Sequence, residues 1–201
     1  RFLLGNLSDF KDEDRVSKDK FTELDKWMIY RTKSLQDEIK QDYENFQFHQ
    51  AFQKIHNFCA NDLGGFYLDI LKDRLYTAKT DSDARRSSQT ALSNILQALL
   101  RWISPVLSFT AEEAWITRHG DDLSKSVHLI TFPSVDKNWR DDELALKWDK
   151  IRRLRRVITG ALEVERSEKR IGSSLEADID VYADNSSILA MEGIHLAEIS
   201  I

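Results

Sequence analysis

The sequence predicts a mainly α protein, an antiparallel helical bundle followed by a small, partial α/β appendage. Three observations carry that reading. Two prolines and seven glycines in 201 residues leave little to interrupt long helices. Apolar residues recur every three or four positions through long stretches of the chain. After Gly172 the period changes, and Ala177, Ile179 and Val181 alternate with Asp178, Asp180 and Tyr182, as in a strand.

In chain order, residues 1–10 read as the end of a helix and residues 11–20 as a charged connector. Thr22 with Asp25 gives an N-terminal cap signal, and Leu24, Trp27, Met28, Leu35, Ile39 and Tyr43 follow at helical spacing. The clearest helix spans Phe48 to Tyr76, with Phe48, Phe52, Ile55, Cys59, Leu63, Phe66, Ile70 and Leu75 on one stripe. Gly64 and Gly65 lie inside it and cost about 1 kcal/mol each relative to alanine, so another helix is expected to approach there, or a kink to form. Residues 80–83 open the next helix, Ala91, Leu92, Ile95, Leu99 and Trp102 carry it, and Pro105 closes it. Thr110-Ala-Glu-Glu113 reads as a capping box for a short helix that Gly120 stops. Residues 121–140 form a loop with one extended piece, "VHLITF". Asp141, Asp142 and Glu143 suit the positive end of a last long helix, which runs to about Arg170 and stops at Gly172. A helical turn near Ser186–Met191 and a second strand at "HLAEIS" complete the appendage.

Composition narrows the function. One cysteine, Cys59, excludes a disulfide framework and suits a reducing, cytoplasmic setting. No run of about 18 apolar residues is present to span a membrane. The chain starts at Arg1 without an initiator methionine and is expected to be a piece of something longer. Glycine-rich phosphate loops, Gly-x-Ser-x-Gly, His-Glu-x-x-His and Cys-x-x-Cys are all missing. His56 and Cys59 are three apart on one helix, but two ligands do not make a zinc site, and Cys59 is expected in the core. Asn57 and Asp62 are expected as buried polar groups, and Trp27, Phe52, Phe58, Phe66, Tyr67, Trp102 and Trp115 as core.

Charge is unevenly placed. The total is −5, yet residues 149–170 hold eight basic and four acidic residues, a local +4 that leaves −9 for the rest. A basic helix on an acidic body can still bind phosphate by counterion release. Arg152, Arg153, Arg155 and Arg156 cover too much of the helix circumference for all four to touch phosphate. The RNA-contact candidates are Arg152, Arg153, Arg156, Arg166, Lys169 and Arg170, with Lys72 and Arg74 as weaker ones. They rest on charge and on position near the point where the architecture changes.

Several stretches, "RFLLGNLSDF", "LDKWMIYR", "YENFQFHQAFQKIHNFCANDLGGFYLDILKDRLY", "SPVLSFTAEEAW" and "KRIGSSLEADIDVY", together resemble the C-terminal part of bacterial isoleucyl-tRNA synthetases, of the class I aminoacyl-tRNA synthetases. "FYLDILKDRLY" and "KRIGSSLEA" are the specific pieces; the Phe-Thr-Ala-Glu-Glu-x-Trp pattern is shared with valyl- and leucyl-tRNA synthetases. The resemblance implies a helical-bundle anticodon-binding domain at 1–170 and the start of a C-terminal junction domain at 171–201. It implies the anticodon arm of an isoleucine tRNA as partner, an upstream catalytic domain, and a parent ligase using ATP with magnesium. It also implies zinc at a terminal cysteine cluster that this chain lacks; no cofactor is expected within these residues. "DDLSKS" at Asp121–Ser126 looks faintly like the Lys-Met-Ser-Lys-Ser signature, but it lacks the leading lysine and sits after a helix, so it reads as a decoy. The alternatives are the corresponding domain of a valyl or leucyl enzyme, and a helical protein-interaction module without an RNA role.

Overall fold

The computed structural model describes residues 1–132, 139, 141–192 and 194. The chain divides into two compact units, Arg1–Arg140 and Asp141–Ile201.

The first unit is a helical bundle. It comprises α1 (Phe2–Asn6), α2 (Glu23–Glu44), α3 (Phe48–Asn57), a π-helical segment (Phe58–Tyr67), α4 (Leu68–Thr77), α5 (Asp83–Ile103) and α6 (Ser108–His119). α2 packs along both α3 and α5, while α1 and α6 pack against α5. Trp27, Met28, Ile39, Phe58, Tyr67, Leu92, Ile95 and Trp102 are buried between them. Burial of each such side chain is worth roughly 1.5–3 kcal/mol. Phe58 meets Trp102 edge-on at 5.7 Å, and Trp27 meets Phe66 perpendicularly at 5.4 Å.

The cap of α2 forms as expected, with Thr22 Oγ1 accepting from the Asp25 amide. At its other end Phe46 takes a left-handed conformation, φ 58°. Gln47 N donates to Asp42 O at 2.7 Å and Phe46 N to Tyr43 O at 3.2 Å, which is a Schellman closure with phenylalanine where glycine is usual.

The long helix from Phe48 to Thr77 changes pitch in the middle. A Cβ at Gly64 would lie 3.1 Å from Cys59 O, and one at Gly65 would lie 3.2 Å from Ala60 O. Each oxygen belongs to the residue five positions back, the acceptor position of a π turn. The two glycines therefore accommodate the helix's own carbonyls and not a neighbouring helix. The buried residues at the start of this stretch are Ala51, Ile55 and Phe58, while Phe52 and Cys59 are half-buried at the margin and Phe48 is exposed. Asn57, expected to be buried, is exposed. Asp62 is buried and accepts from Arg31 Nε at 2.9 Å.

α5 begins at Ser82, whose hydroxyl accepts from the Arg85 amide. It buries Ser87, Ser88, Gln89, Thr90 and Ser93 as well as its apolar stripe. These side chains anchor the N-terminal connector. Ser87 Oγ accepts from Thr22 N, Thr90 Oγ1 from Val16 N, and Gln89 Nε2 donates to Asn6 O and Asp9 Oδ1.

α6 departs from the expected capping box. It starts at Ser108, so Thr110 lies inside the helix, and its N-cap Leu107 offers no side-chain acceptor. Glu112 instead accepts from Ser126 Oγ and Val127 N, fixing the turn that follows. Gly120, φ 88°, ends α6 as expected. "VHLITF" begins as a 3₁₀ turn at Val127–Leu129 rather than as a strand.

The second unit holds α7 (Asp142–Ser167) and α8 (Asn185–Ala190). Asp141 caps α7 by accepting from the Leu144 amide at 2.9 Å. Residues 177–182 form no strand, and no paired strand occurs among the described residues of this unit, so the expected α/β appendage is not seen among them. A strand is stable only when a partner takes its backbone hydrogen bonds, and alternation alone supplies none. The expected strand at "HLAEIS" lies outside the described residues.

Candidate nucleic-acid interface

α7 separates its arginines by face. Trp148, Ile151, Arg155, Ile158 and Leu162 are buried at alternating spacings of three and four. Arg155 thus sits on the inward stripe. Arg153 and Arg156 are exposed, and neither has a carboxylate within ion-pair distance among the described residues. Arg152 is half-buried and engaged by another group. At about 100° per residue, Arg152, Arg153 and Arg156 fall within an arc of roughly 100°.

Gly160 shares that side, one turn beyond Arg156. It is exposed, and a Cβ there would meet nothing within 4 Å. Glycine inside a helix costs roughly 1 kcal/mol relative to alanine, and packing gives no reason for it here. Its effect is a bare patch of backbone beside the exposed guanidinium groups of Arg153 and Arg156.

α7 closes earlier than expected, at Ser167, and by a different residue. Lys169 takes φ 59°; Arg170 N donates to Glu165 O at 2.9 Å and Lys169 N to Arg166 O at 3.0 Å. Lys169, not Gly172, is the left-handed residue of this Schellman closure. Gly172 lies beyond it, where its amide donates to Glu176 Oε2 at 2.8 Å.

The basic residues at this end are neutralised to different degrees. Arg166 pairs with Glu163 at 3.2 Å. Arg170 is held by both Glu165 and Glu168 while remaining about half exposed. The hydrogen bond and charge of Arg170 hold the Glu165 carboxyl below its ordinary range. Lys169 is exposed.

The two candidates on α4 differ from these. Lys72 is exposed and pairs with Asp69 at 2.8 Å. Arg74 is turned into the bundle, where its Nη1 donates to Thr22 Oγ1 and Ser88 Oγ, each at 3.2 Å, and lies 3.5 Å from Asp25 Oδ2. That guanidinium is committed to internal structure and is turned away from solvent-borne phosphate.

Asp25 is the centre of that network and is wholly buried. It accepts from Tyr67 Oη at 2.6 Å, Ser87 Oγ at 2.5 Å and Thr22 Oγ1 at 2.8 Å. Burial, and then the charge of Asp25, push the Tyr67 phenol well above its ordinary value. The network ties α2, α4, α5 and the π segment together.

The half-buried thiol of Cys59 is pushed up by burial. Among the described residues no group of three histidine, cysteine, aspartate or glutamate side chains is placed to hold a metal. "DDLSKS" is an Asp-capped turn. Asp122 accepts from the amide and hydroxyl of Ser124, which with Lys125 hold its carboxyl down to about 2.

The sequence profile described as "Anticodon-binding domain of tRNA ligase" matches residues 25–182. The chain belongs to this family. Within the anticodon-binding family it is 45% identical over 196 residues to the isoleucine–tRNA ligase of Francisella philomiragia, covering 96% of this chain and 21% of that protein. It is 41% identical over 196 residues to the isoleucine–tRNA ligase of Cupriavidus pinatubonensis, covering 96% and 20%. To that of Natranaerobius thermophilus it is 43% identical over 185 residues, covering 92% and 20%. The anticodon-binding chain therefore spans about a fifth of the length of these relatives.

Proposed function

We propose that this chain is the tRNA-binding part of an isoleucine–tRNA ligase and that α7 grips the anticodon arm. The observation that carries this reading is the exposed pair Arg153 and Arg156 on α7, with half-buried Arg152 and the bare backbone of Gly160 on the same side, on a chain of net charge −5. Family membership and the isoleucine–tRNA ligase relatives support the choice of RNA over another polyanion.

The mechanism is recognition at a distance from chemistry. Arginine guanidinium groups bond phosphate oxygens and fix register without reading sequence. Lys169 and the paired Arg166 and Arg170 extend the cationic surface to the end of the helix; their carboxylate partners tune its net charge and can yield to a phosphate. Lys72 adds a weaker cation on α4. The parent would join isoleucine to its tRNA with ATP in the cytoplasm, using a catalytic domain elsewhere in the polypeptide. On this reading the RNA-binding domain extends to about residue 170, and residues 171–201 begin the junction domain.

Titrating the chain with isoleucine tRNA at two salt concentrations tests the proposal against the protein-module alternative. RNA binding weakens steeply with salt, by a slope of roughly 0.7–0.9 per phosphate held. No saturable binding at low salt would reject it. Competition by valine and leucine tRNAs, tested against isoleucine tRNA, decides the tRNA identity.

A further inference from the structure

The first unit carries a second set of features that α7 does not explain. Phe46 holds a left-handed backbone, which costs roughly 1–2 kcal/mol for a residue with a Cβ. Its ring is 79% exposed, so burial returns little of that cost. The ring meets Phe48 perpendicularly at 6.0 Å; Phe48 meets Tyr43 at 6.0 Å, and Tyr43 meets Phe132 at 6.1 Å. Tyr43 is itself fixed, its hydroxyl donating to Trp102 O at 2.8 Å. The result is a row of aromatic rings leading from solvent.

Phe132 lines a cavity of about 800 Å³, together with Asp37, Lys40, Arg101, Pro105 and His128. Arg101 is 9% exposed. Its Nη1 donates to Gln97 O and Oε1, and its guanidinium lies over the Trp115 ring at 5.3 Å. Its buried Nε has no hydrogen-bond partner, and no carboxylate lies within ion-pair distance among the described residues. A buried cation without a counter-charge is costly, and an incoming anion offsets that cost. Lys40 adds a second cation, loosely shared with Glu44 at 3.8 Å, and Asp37 is the one acid on the lining among the described residues.

We infer that this aromatic row and the Arg101 cavity together bind an unpaired segment of RNA, bases on the rings of Phe46 and Phe132 and a phosphate on Arg101. The inference rests on the RNA reading above and adds to it a second surface with a different chemistry. An unstacked nucleotide offers one flat π-face and one anionic group, the two features this site matches. A duplex offers only the second.

The test uses the full chain and two fluorescent RNAs, a hairpin with an unpaired loop and a blunt duplex of the same stem. The hairpin should bind at least about fivefold more tightly than the duplex, the lower end of what stacking one base contributes. Phe46→Gly should erase most of that ratio and leave duplex binding unchanged. It should melt no lower than wild type, because glycine relieves the left-handed backbone. Arg101→Gln should weaken the hairpin and reduce its salt slope by about one. Equal binding of the two RNAs by wild type, or a ratio that survives Phe46→Gly, would overturn the inference and leave the α7 reading standing. Binding of neither RNA would overturn both. Self-association of the chain that Phe46→Gly abolishes, without change in hairpin affinity, would assign the row to a second copy and overturn it as well.

Discussion

Replacing Asp25 with alanine tests the physical account of the bundle most severely. The carboxylate is wholly buried and accepts from four hydroxyls, on Thr22, Tyr67, Ser87 and, at 3.3 Å, Ser88, with Arg74 Nη1 at 3.5 Å. Removing it strands the buried Tyr67 and Ser87 hydroxyls, each left unsatisfied at about 1–3 kcal/mol. It also leaves Arg74, which is only 15% exposed at its side chain, without its counter-charge. Breaking such a network from one side costs about 3–5 kcal/mol. At roughly 2–4 °C per kcal/mol for a chain of this size, the melting temperature should fall by about 10 °C. Urea unfolding followed by the fluorescence of buried Trp27 and Trp102 measures the free energy directly. Tyr67→Phe alone should cost about 1–2 kcal/mol, and the two changes together should cost less than their sum, because the partner is already gone. A loss below about 1 kcal/mol for Asp25→Ala would refute the reasoning, since it would mean the network holds nothing.

Three further outcomes follow from other parts of the molecule. Gly160→Ala should raise stability by about 0.5–1 kcal/mol in thermal melts yet weaken tRNA binding, if bare backbone on α7 admits a phosphate; unchanged binding would reduce Gly160 to an unexplained helix flaw. Gly64→Ala should destabilise the chain by roughly 1 kcal/mol or more, because its Cβ would crowd Cys59 O at 3.1 Å; neutral or higher stability in urea would show that the π turn relaxes freely. His119, stacked on Trp115, has its pKa lowered from 6.5, chiefly by burial and then by Arg118. Below 6.5 the unfolded chain binds the proton more readily than the folded one, so stability should be complete above that value and decline as pH falls through it. His119→Gln should flatten that part of a stability–pH profile, and an unchanged profile would clear His119.

The long helices were legible because periodic apolar residues and their caps are local signals. Thr22, Ser82, Asp141 and Gly120 act at the ends where their chemistry placed them or within a residue or two. What was not legible depended on partners distant in sequence. Ser87, Ser88, Gln89, Thr90 and Ser93 carry no local sign of burial, yet they are buried where the N-terminal connector and Asp25 share their hydrogen bonds. Glu112 lay inside the expected Thr110–Glu113 capping box and serves a loop fourteen residues away. The strand at 177–182 had the right alternation but no described partner to pair with. The end of α7 was misplaced because lysine, not glycine, adopts the left-handed turn, and nothing local announces that choice. In the candidate site, charge and helix circumference marked α7 and left out Arg155, which is buried, but charge alone could not separate Arg74 from surface cations. Phe46 and Arg101 were missed altogether; the available signal for Phe46 was an aromatic residue at a helix end between two polar ones.

The central claim is that exposed arginines of α7 hold ribose-phosphate. Its most direct test is the salt dependence of tRNA affinity for the wild-type chain against the Arg153→Ala, Arg156→Ala double variant. The account predicts weaker binding and a slope shallower by about 1.5, the loss of two phosphate partners. Equal affinity with an unchanged slope, in a variant that melts like wild type, would contradict it.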